Sequence, residues 1–167
     1  HMLPLHKIRP TSGTNLAKNV SICGCQVFFF DVSGKFQDLW SSYYDDADAI
    51  IFCVGTARSS KGSSDEDDDN DEERNNEILD KVRQQVEDDV PFLIWRMTED
   101  QDAEAPPLSD FLPHYSSNLM QVFVGSNWTG YGVKEALEWL VPMAKRMKTQ
   151  RLQQQQLLAP PLPPKEV

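Results

Sequence analysis

What the chain has little of narrows its function first. No apolar run among its 167 residues approaches the roughly 20 needed to cross a bilayer, and there is no secretory core. No integral membrane segment is therefore expected. Lysine and arginine number 16 against 26 aspartates and glutamates, a net charge of −10, which repels nucleic acid and anionic membrane as partners. Cysteine is rare and odd in number, with Cys23, Cys25 and Cys53 in or beside apolar stretches. They read as buried, reduced thiols of a cytoplasmic protein and not as a disulfide framework. Histidine is limited to three, and His1 ahead of Met2 reads as a cloning remnant. Cys23-Gly24-Cys25 thus finds no companions for a four-ligand metal set, and no metal is expected. No hydroxyl or thiol stands with histidine at the spacing of a catalytic pair. The eight glycines nowhere form Gly-x-x-x-x-Gly-Lys-Ser/Thr, the loop that cradles phosphates. The nearest string, Gly55-Thr56-Ala57-Arg58-Ser59-Ser60-Lys61-Gly62-Ser63, lacks a glycine before its lysine.

What is present is organised around Cys25 to Gly55. Gln26 to Phe30 and Ala49 to Val54 are short, continuous apolar runs, the pattern of strands buried on both faces of a parallel sheet. Between them Asp31-Val32-Ser33-Gly34 has the form Asp-x-x-Gly, with a carboxylate at a strand's C-terminal edge and a glycine that lets backbone approach a ligand. A short aromatic helix carrying Leu39, Trp40, Tyr43 and Tyr44 follows. Upstream, Leu3 to Arg9 is an extended, proline-marked lead-in. Leu16 to Ile22 then turns through Cys23-Gly24-Cys25 into the strand at Gln26, making an antiparallel hairpin.

Downstream, residues 56–74 read as an acidic insertion. Its like-charge block Asp65 to Glu73 repels itself and is expected to be disordered, as a solvated insertion or as a docking site for a basic partner. Ile78, Leu79, Val82 and Val86 lie on one face of a helix expected over 75–87. Phe92 to Trp95 and Gln121 to Val124 are further strands, and Leu108, Phe111, Leu112 and Tyr115 form a short helix. Gly130-Tyr131-Gly132 opens a helix with a core stripe of Val133, Ala136, Leu137, Leu140 and Val141, ending in cations at Lys145-Arg146. Strands alternating with helices predict an α/β fold with a mostly parallel sheet. Residues 149–167 are low in complexity and read as a disordered Gln/Pro-rich tail, in which Pro160-x-x-Pro163 resembles a polyproline ligand.

In that order and at nearly that spacing, Pro10-Thr11-Ser12-Gly13, the hairpin, Phe30-Asp31-Val32-Ser33-Gly34, Leu39-Trp40 with Tyr43-Tyr44, Ala47 to Phe52, Val90 to Ile94 and Thr129-Gly130-Tyr131-Gly132-Val133 with Glu138-Trp139-Leu140 resemble the Arf and Arf-like small GTPases. The likeness covers about residues 7–147, within a remnant domain drawn over 3–148. The Phe-Asp-x-Ser-Gly form is similar to the ciliary, Bardet-Biedl-linked Arf-like branch, and the lead-in to Arf-related protein. The resemblance implies a small-GTPase-like sheet with flanking helices from which the family's first strand and phosphate loop are missing.

It also implies a nucleotide site of which only vestiges match. Thr11 and Asp31 correspond to the magnesium-side residues, Gly34 to the Asp-x-x-Gly turn, Asp100 to the guanine-reading aspartate and Ser126 to the serine after the last strand. Lys35 follows Gly34 where the family has a water-orienting glutamine, and Met97-Thr98-Glu99 replaces its Asn-Lys-x. The expected protein is therefore a pseudo-GTPase without nucleotide or Mg²⁺, cytoplasmic at endomembranes or the ciliary base. It would bind a trafficking effector or coat through Phe36, Leu39, Trp40, Tyr43 and Tyr44. The alternative is a truncated piece of an active Arf-like protein that uses GTP and Mg²⁺. The missing strand would leave two neighbours unpaired. Direct pairing of those two, the lead-in, or a strand from another chain or a second copy would fill the gap.

Overall fold

A computed structural model describes residues 11–54, 66–98 and 104–158, with backbone alone for 66–72. Two strands come first, β1 (Thr14–Ile22) and β2 (Cys25–Val32), paired antiparallel across the two-residue turn Cys23-Gly24. Both turn residues have positive φ, 49° and 72°, the backbone twist that matches a two-residue hairpin loop. Ala17 pairs with Phe29 and Val20 with Val27, so Lys18 and Asn19 oppose Phe28 alone and a β-bulge bends β1 there. Asn19 takes up the bend with φ 57°.

A 3₁₀ helix over Gln37–Tyr43 leads into β3 (Ile50–Val54). After α1 (Glu66–Gln85) come β4 (Phe92–Met97), a 3₁₀ turn at Leu108–Asp110, β5 (Met120–Gly125) and α2 (Val133–Leu158). β3, β4 and β5 form a parallel sheet in that order. β4 is central, and its side chains alternate between two apolar layers, as the period of a strand requires. Phe92 and Ile94 pack with Leu79, Val82 and Val86 of the α1 stripe, together with Phe111, Leu112 and Val122. Leu93 and Trp95 pack on the other face with Ala136 and Leu140 of α2. The parallel α/β architecture expected from alternating periodicity is therefore present, and the expected hairpin with it.

Several expectations are corrected. Direct pairing of the β2 and β3 edges does not occur: the hairpin and the parallel sheet are separate sheets, joined by no backbone ladder among the described residues. The lead-in around Leu3 lies outside them. β2 is consequently not buried on both faces; Phe28 and Phe30 are 52% and 56% exposed. The thiols are not buried as expected either, since Cys23 and Cys53 are exposed and Cys25 is half-buried.

The helix expected over 75–87 begins instead at Glu66 and takes in most of the acidic block expected to be disordered. Carboxylates concentrated in a helix's first turns face unpaired N–H groups and the positive end of its dipole, which offsets their mutual repulsion. Residues 55–65 lie outside the described set. The tail expected from 149 is helical as far as Leu158, because Gln, Leu, Arg and Lys are good helix formers and no proline intervenes before Pro160. Pro160-x-x-Pro163 lies outside the described residues.

Polar contacts fix the helix ends. The buried guanidinium of Arg83 donates to the carbonyl of Val86 at 2.7 Å and to Asp88 at 2.5 Å, and lies over the Tyr115 ring. Asp48, ahead of β3, pairs with Lys148 and Arg151 of α2, and Arg151 also reaches Asp89.

Gly125 is where the last strand must stay bare. A Cβ there would lie 2.1 Å from the Trp95 ring and 2.4 Å from the Tyr131 carbonyl oxygen. Gly125→Ala is expected to cost about 3 kcal/mol, the upper range for overpacking a core. Thermal unfolding followed by circular dichroism should show Tm lowered by about 6–12 °C.

Candidate functional site

Ligands in open α/β sheets sit at the C-terminal ends of the parallel strands. That edge carries Val54, Met97-Thr98 and Gly125-Ser126-Asn127, with Asp31 to Gly34 of the hairpin beside it. Burial pushes the Cys53 thiol of β3 up from its ordinary value, and the nearby Asp31 carboxylate pushes it further, although part of the residue is open to solvent.

Thr11 and Asp31, the expected magnesium-side pair, come together. The Thr11 hydroxyl donates to Oδ2 of Asp31 at 2.9 Å, and the same oxygen accepts from the Asn15 amide at 3.0 Å. The two side chains thus bond one another. Ser33 is buried and fastens the turn. Its N–H donates to the Gly13 carbonyl at 2.9 Å, its hydroxyl to the Thr11 carbonyl at 2.5 Å, and it accepts from the Lys35 N–H. Gly34 meets no such demand, because a Cβ there would touch nothing within 4 Å and its φ lies outside the left-handed region.

Across the edge, Ser126 caps its own loop. Its hydroxyl accepts from the N–H groups of Trp128 and Thr129, its N–H donates to the Tyr131 carbonyl, and its carbonyl accepts from Gly130. Asn127 is held from both sides, accepting from the Trp95 indole at 3.1 Å and donating to the Met97 sulfur at 2.7 Å. Gly132 seals the loop against β5; with φ 75°, a Cβ there would lie 2.3 Å from the Val124 carbonyl oxygen. Asp100 lies outside the described residues.

The five expected partner contacts separate into two groups. Trp40 and Tyr44 pack against the core. The Trp40 indole donates to the Ser33 carbonyl at 2.9 Å, and its ring meets Phe52 edge-on at 6.4 Å. Phe36 and Leu39 point outward, 47% and 57% exposed. Tyr43 lies between the groups, half-buried, with its ring 6.1 Å from Phe30 and its hydroxyl hydrogen-bonded to Thr14. Phe28 and Phe30 of β2 are exposed as well, which the apolar run at Gln26 to Phe30 did not suggest. The available signal was β1, whose Thr14, Asn15, Lys18, Asn19 and Ser21 are too polar to line a strand covered on both faces.

Desolvation pushes the Tyr44 phenol up to about 12 from 10.0. A raised acid pKa means that the folded state holds the proton longer than the unfolded one. Tyr44 thus contributes stability that is intact below pH 10 and declines as pH rises toward 12. Ultraviolet titration should show a phenolate step near pH 12 that Tyr44→Phe abolishes, along with part of the alkaline loss of stability. If Tyr44→Phe instead removes absorbance at the ordinary tyrosine value and leaves any step near pH 12 in place, the burial is contradicted.

The ADP-ribosylation factor family matches residues 2–144. ADP-ribosylation factor-like protein 3 of Saccharomyces cerevisiae is 30% identical over 156 residues, spanning 88% of this chain and 74% of that protein. ADP-ribosylation factor-like protein 3 of Chlamydomonas reinhardtii is 26% identical over 146 residues, 83% of this chain and 76% of its own length. ADP-ribosylation factor-related protein 1 of Rattus norvegicus is 27% identical over 155 residues, 86% and 71%. With the α/β fold, the parallel sheet and the family match over most of its length, this chain belongs to the ADP-ribosylation factor family of small GTPases.

Proposed function

We propose that this chain is an Arf-like pseudo-GTPase, a protein-interaction module of vesicle or ciliary traffic that neither binds nor hydrolyses GTP appreciably. The observation that carries this reading is the closure of the strand-end edge by its own bonds. A nucleotide would need the Thr11 hydroxyl, the Asp31 carboxylate and the N–H groups of the loop after β5, and each of these already has a partner within the chain. Where the resemblance places the guanine-reading asparagine stands Met97, bonded to Asn127. These residues do not fit a magnesium-nucleotide, and no catalytic step is derived through one.

An effector or coat protein is the fitting partner, and Phe28, Phe30, Phe36 and Leu39 form the surface for it, since exposed aromatic and aliphatic anchors supply most interface energy. A cytoplasmic place at endomembranes or the ciliary base goes with that role. No helix among the described residues is long and apolar enough to cross a membrane.

A second reading has one observation behind it. The relatives extend beyond the match, which covers 74% and 76% of two of them. A longer form of this chain that supplies a phosphate loop would be a working GTPase.

A fluorescent guanine nucleotide titrated into the protein with Mg²⁺ should give a flat trace, whereas saturation at micromolar concentration would overturn the proposal. The same titration on any longer form decides the second reading. In affinity capture from cell extract, Leu39→Ala and Phe30→Ala should each weaken recovery of the partner about tenfold, the effect of a contact worth about 1.4 kcal/mol. Their Tm should hold, because exposed substitutions change stability by less than about 0.5 kcal/mol. Unchanged recovery would remove this face as the interface.

A further inference from the structure

The hairpin tip carries two thiols that the proposed function does not use. Cys23 is exposed and Cys25 half-buried, and the Cys25 thiol turns back toward the Cys23 carbonyl at 3.8 Å. Two residues apart in a tight turn, their Cα atoms are closer than about 7 Å, within the span of about 4.4–6.8 Å that a disulfide bridges. Both line one open cleft of about 430 Å³ between the tip and α2, whose opposite wall is Lys145, Arg146, Thr149 and Gln150. The two cations there differ from their neighbours. Lys148 and Arg151 are paired with Asp48, while Lys145 and Arg146 form no ion pair among the described residues. In a chain of net charge −10, this cleft combines a dithiol with unpaired positive charge, which concentrates small anions.

We infer that Cys23 and Cys25 form a redox dithiol served by a small anionic disulfide of the glutathione class, whose carboxylates Lys145 and Arg146 hold in the cleft. The exposed Cys23 attacks as thiolate. A bond forms from its sulfur to one sulfur of the reagent, the reagent's own S–S bond breaks, and the first glutathione leaves as a thiolate that takes up the proton Cys23 lost. Cys25, two residues along the same turn, then attacks the Cys23 sulfur and expels the second glutathione, which takes the proton from Cys25. Two electrons and two protons pass from the protein to the reagent, giving one internal disulfide and two glutathione thiols. Exposed cysteines beside a resolving partner are the reactive kind. Exposed disulfides are also the readily reduced ones, so the step reverses when the thiol pool is replenished. The cleft lies where the hairpin tip meets α2, away from the strand-end edge, so this inference is independent of whether a nucleotide binds.

The reduced full chain is treated with glutathione disulfide at neutral pH, quenched with an alkylating agent and mapped by mass spectrometry without reduction. The mixed disulfide should appear first on Cys23. Loss of two hydrogens should follow, with Cys23 and Cys25 both protected and Cys53 still alkylated. Cys25→Ser should halt at the mixed disulfide. The double variant Lys145→Glu with Arg146→Glu should slow the first step roughly tenfold, and leave the rate with the uncharged hydroxyethyl disulfide unchanged. Lys145 and Arg146 lie on exposed helix surface and Cys25 is half-buried at the start of β2, and circular dichroism checks the folding of each variant. The inference is overturned if Cys23 reacts no faster in the folded chain than in urea, if charge reversal leaves the glutathione rate unaltered, or if it slows both disulfides alike.

Discussion

The Trp40 side chain bridges the two halves of this fold. The Trp40 indole donates to the Ser33 carbonyl at the end of the hairpin while its ring packs edge-on against Phe52 of the parallel sheet. Because no backbone ladder joins β2 to β3 among the described residues, orientation here is carried by side chains. A ladder adds hydrogen bonds along its whole length, whereas this junction relies on the Trp40 indole and its ring contact with Phe52, on Tyr43 against Thr14 and Phe30, and on the buried Ser33 that ties the turn to Thr11 and Gly13. The hairpin should therefore open more easily than the parallel sheet, whose central strand is covered on both faces by the α1 and α2 layers.

The same economy of bonding shapes the strand-end edge. Asp31 is occupied by Thr11 and Asn15, Ser126 by its own loop, and Asn127 by Trp95 and Met97. A buried polar group left unbonded costs about 1–3 kcal/mol. The buried Ser126 avoids that cost through the bonds within its own loop. The exposed large side chains near this edge are apolar, Phe28 and Phe30 on the hairpin and Phe36 and Leu39 after it.

The parts legible in the sequence were those written by periodicity. The stripe Leu79, Val82 and Val86, the run Phe92 to Trp95 and the helix through Ala136 and Leu140 are all where the spacing of apolar residues puts them. In the aromatic block, Trp40 and Tyr44 share the core-facing side. Three features were not legible, each for a physical reason. Phe28-Phe29-Phe30 reads as buried on both faces because a run of one residue type hides its alternation; only the polarity of the pairing strand shows that half of it faces out. The acidic block reads as self-repelling because pairwise charge is local, while the helix dipole that accommodates it depends on where the helix starts. The Thr11 to Asp31 bond joins residues 20 apart, and the register that unites them comes from a turn whose conformation the sequence only permits.

Native-state hydrogen exchange, run with and without GTP and Mg²⁺, tests most directly the claim that this is a two-part fold whose edge is self-satisfied. Amides of β1 and β2 should exchange well before those of β4, with identical rates in the presence of nucleotide. Uniform protection of both sheets, or nucleotide-dependent slowing at Asp31 to Gly34 and at Ser126 to Gly130, would contradict it.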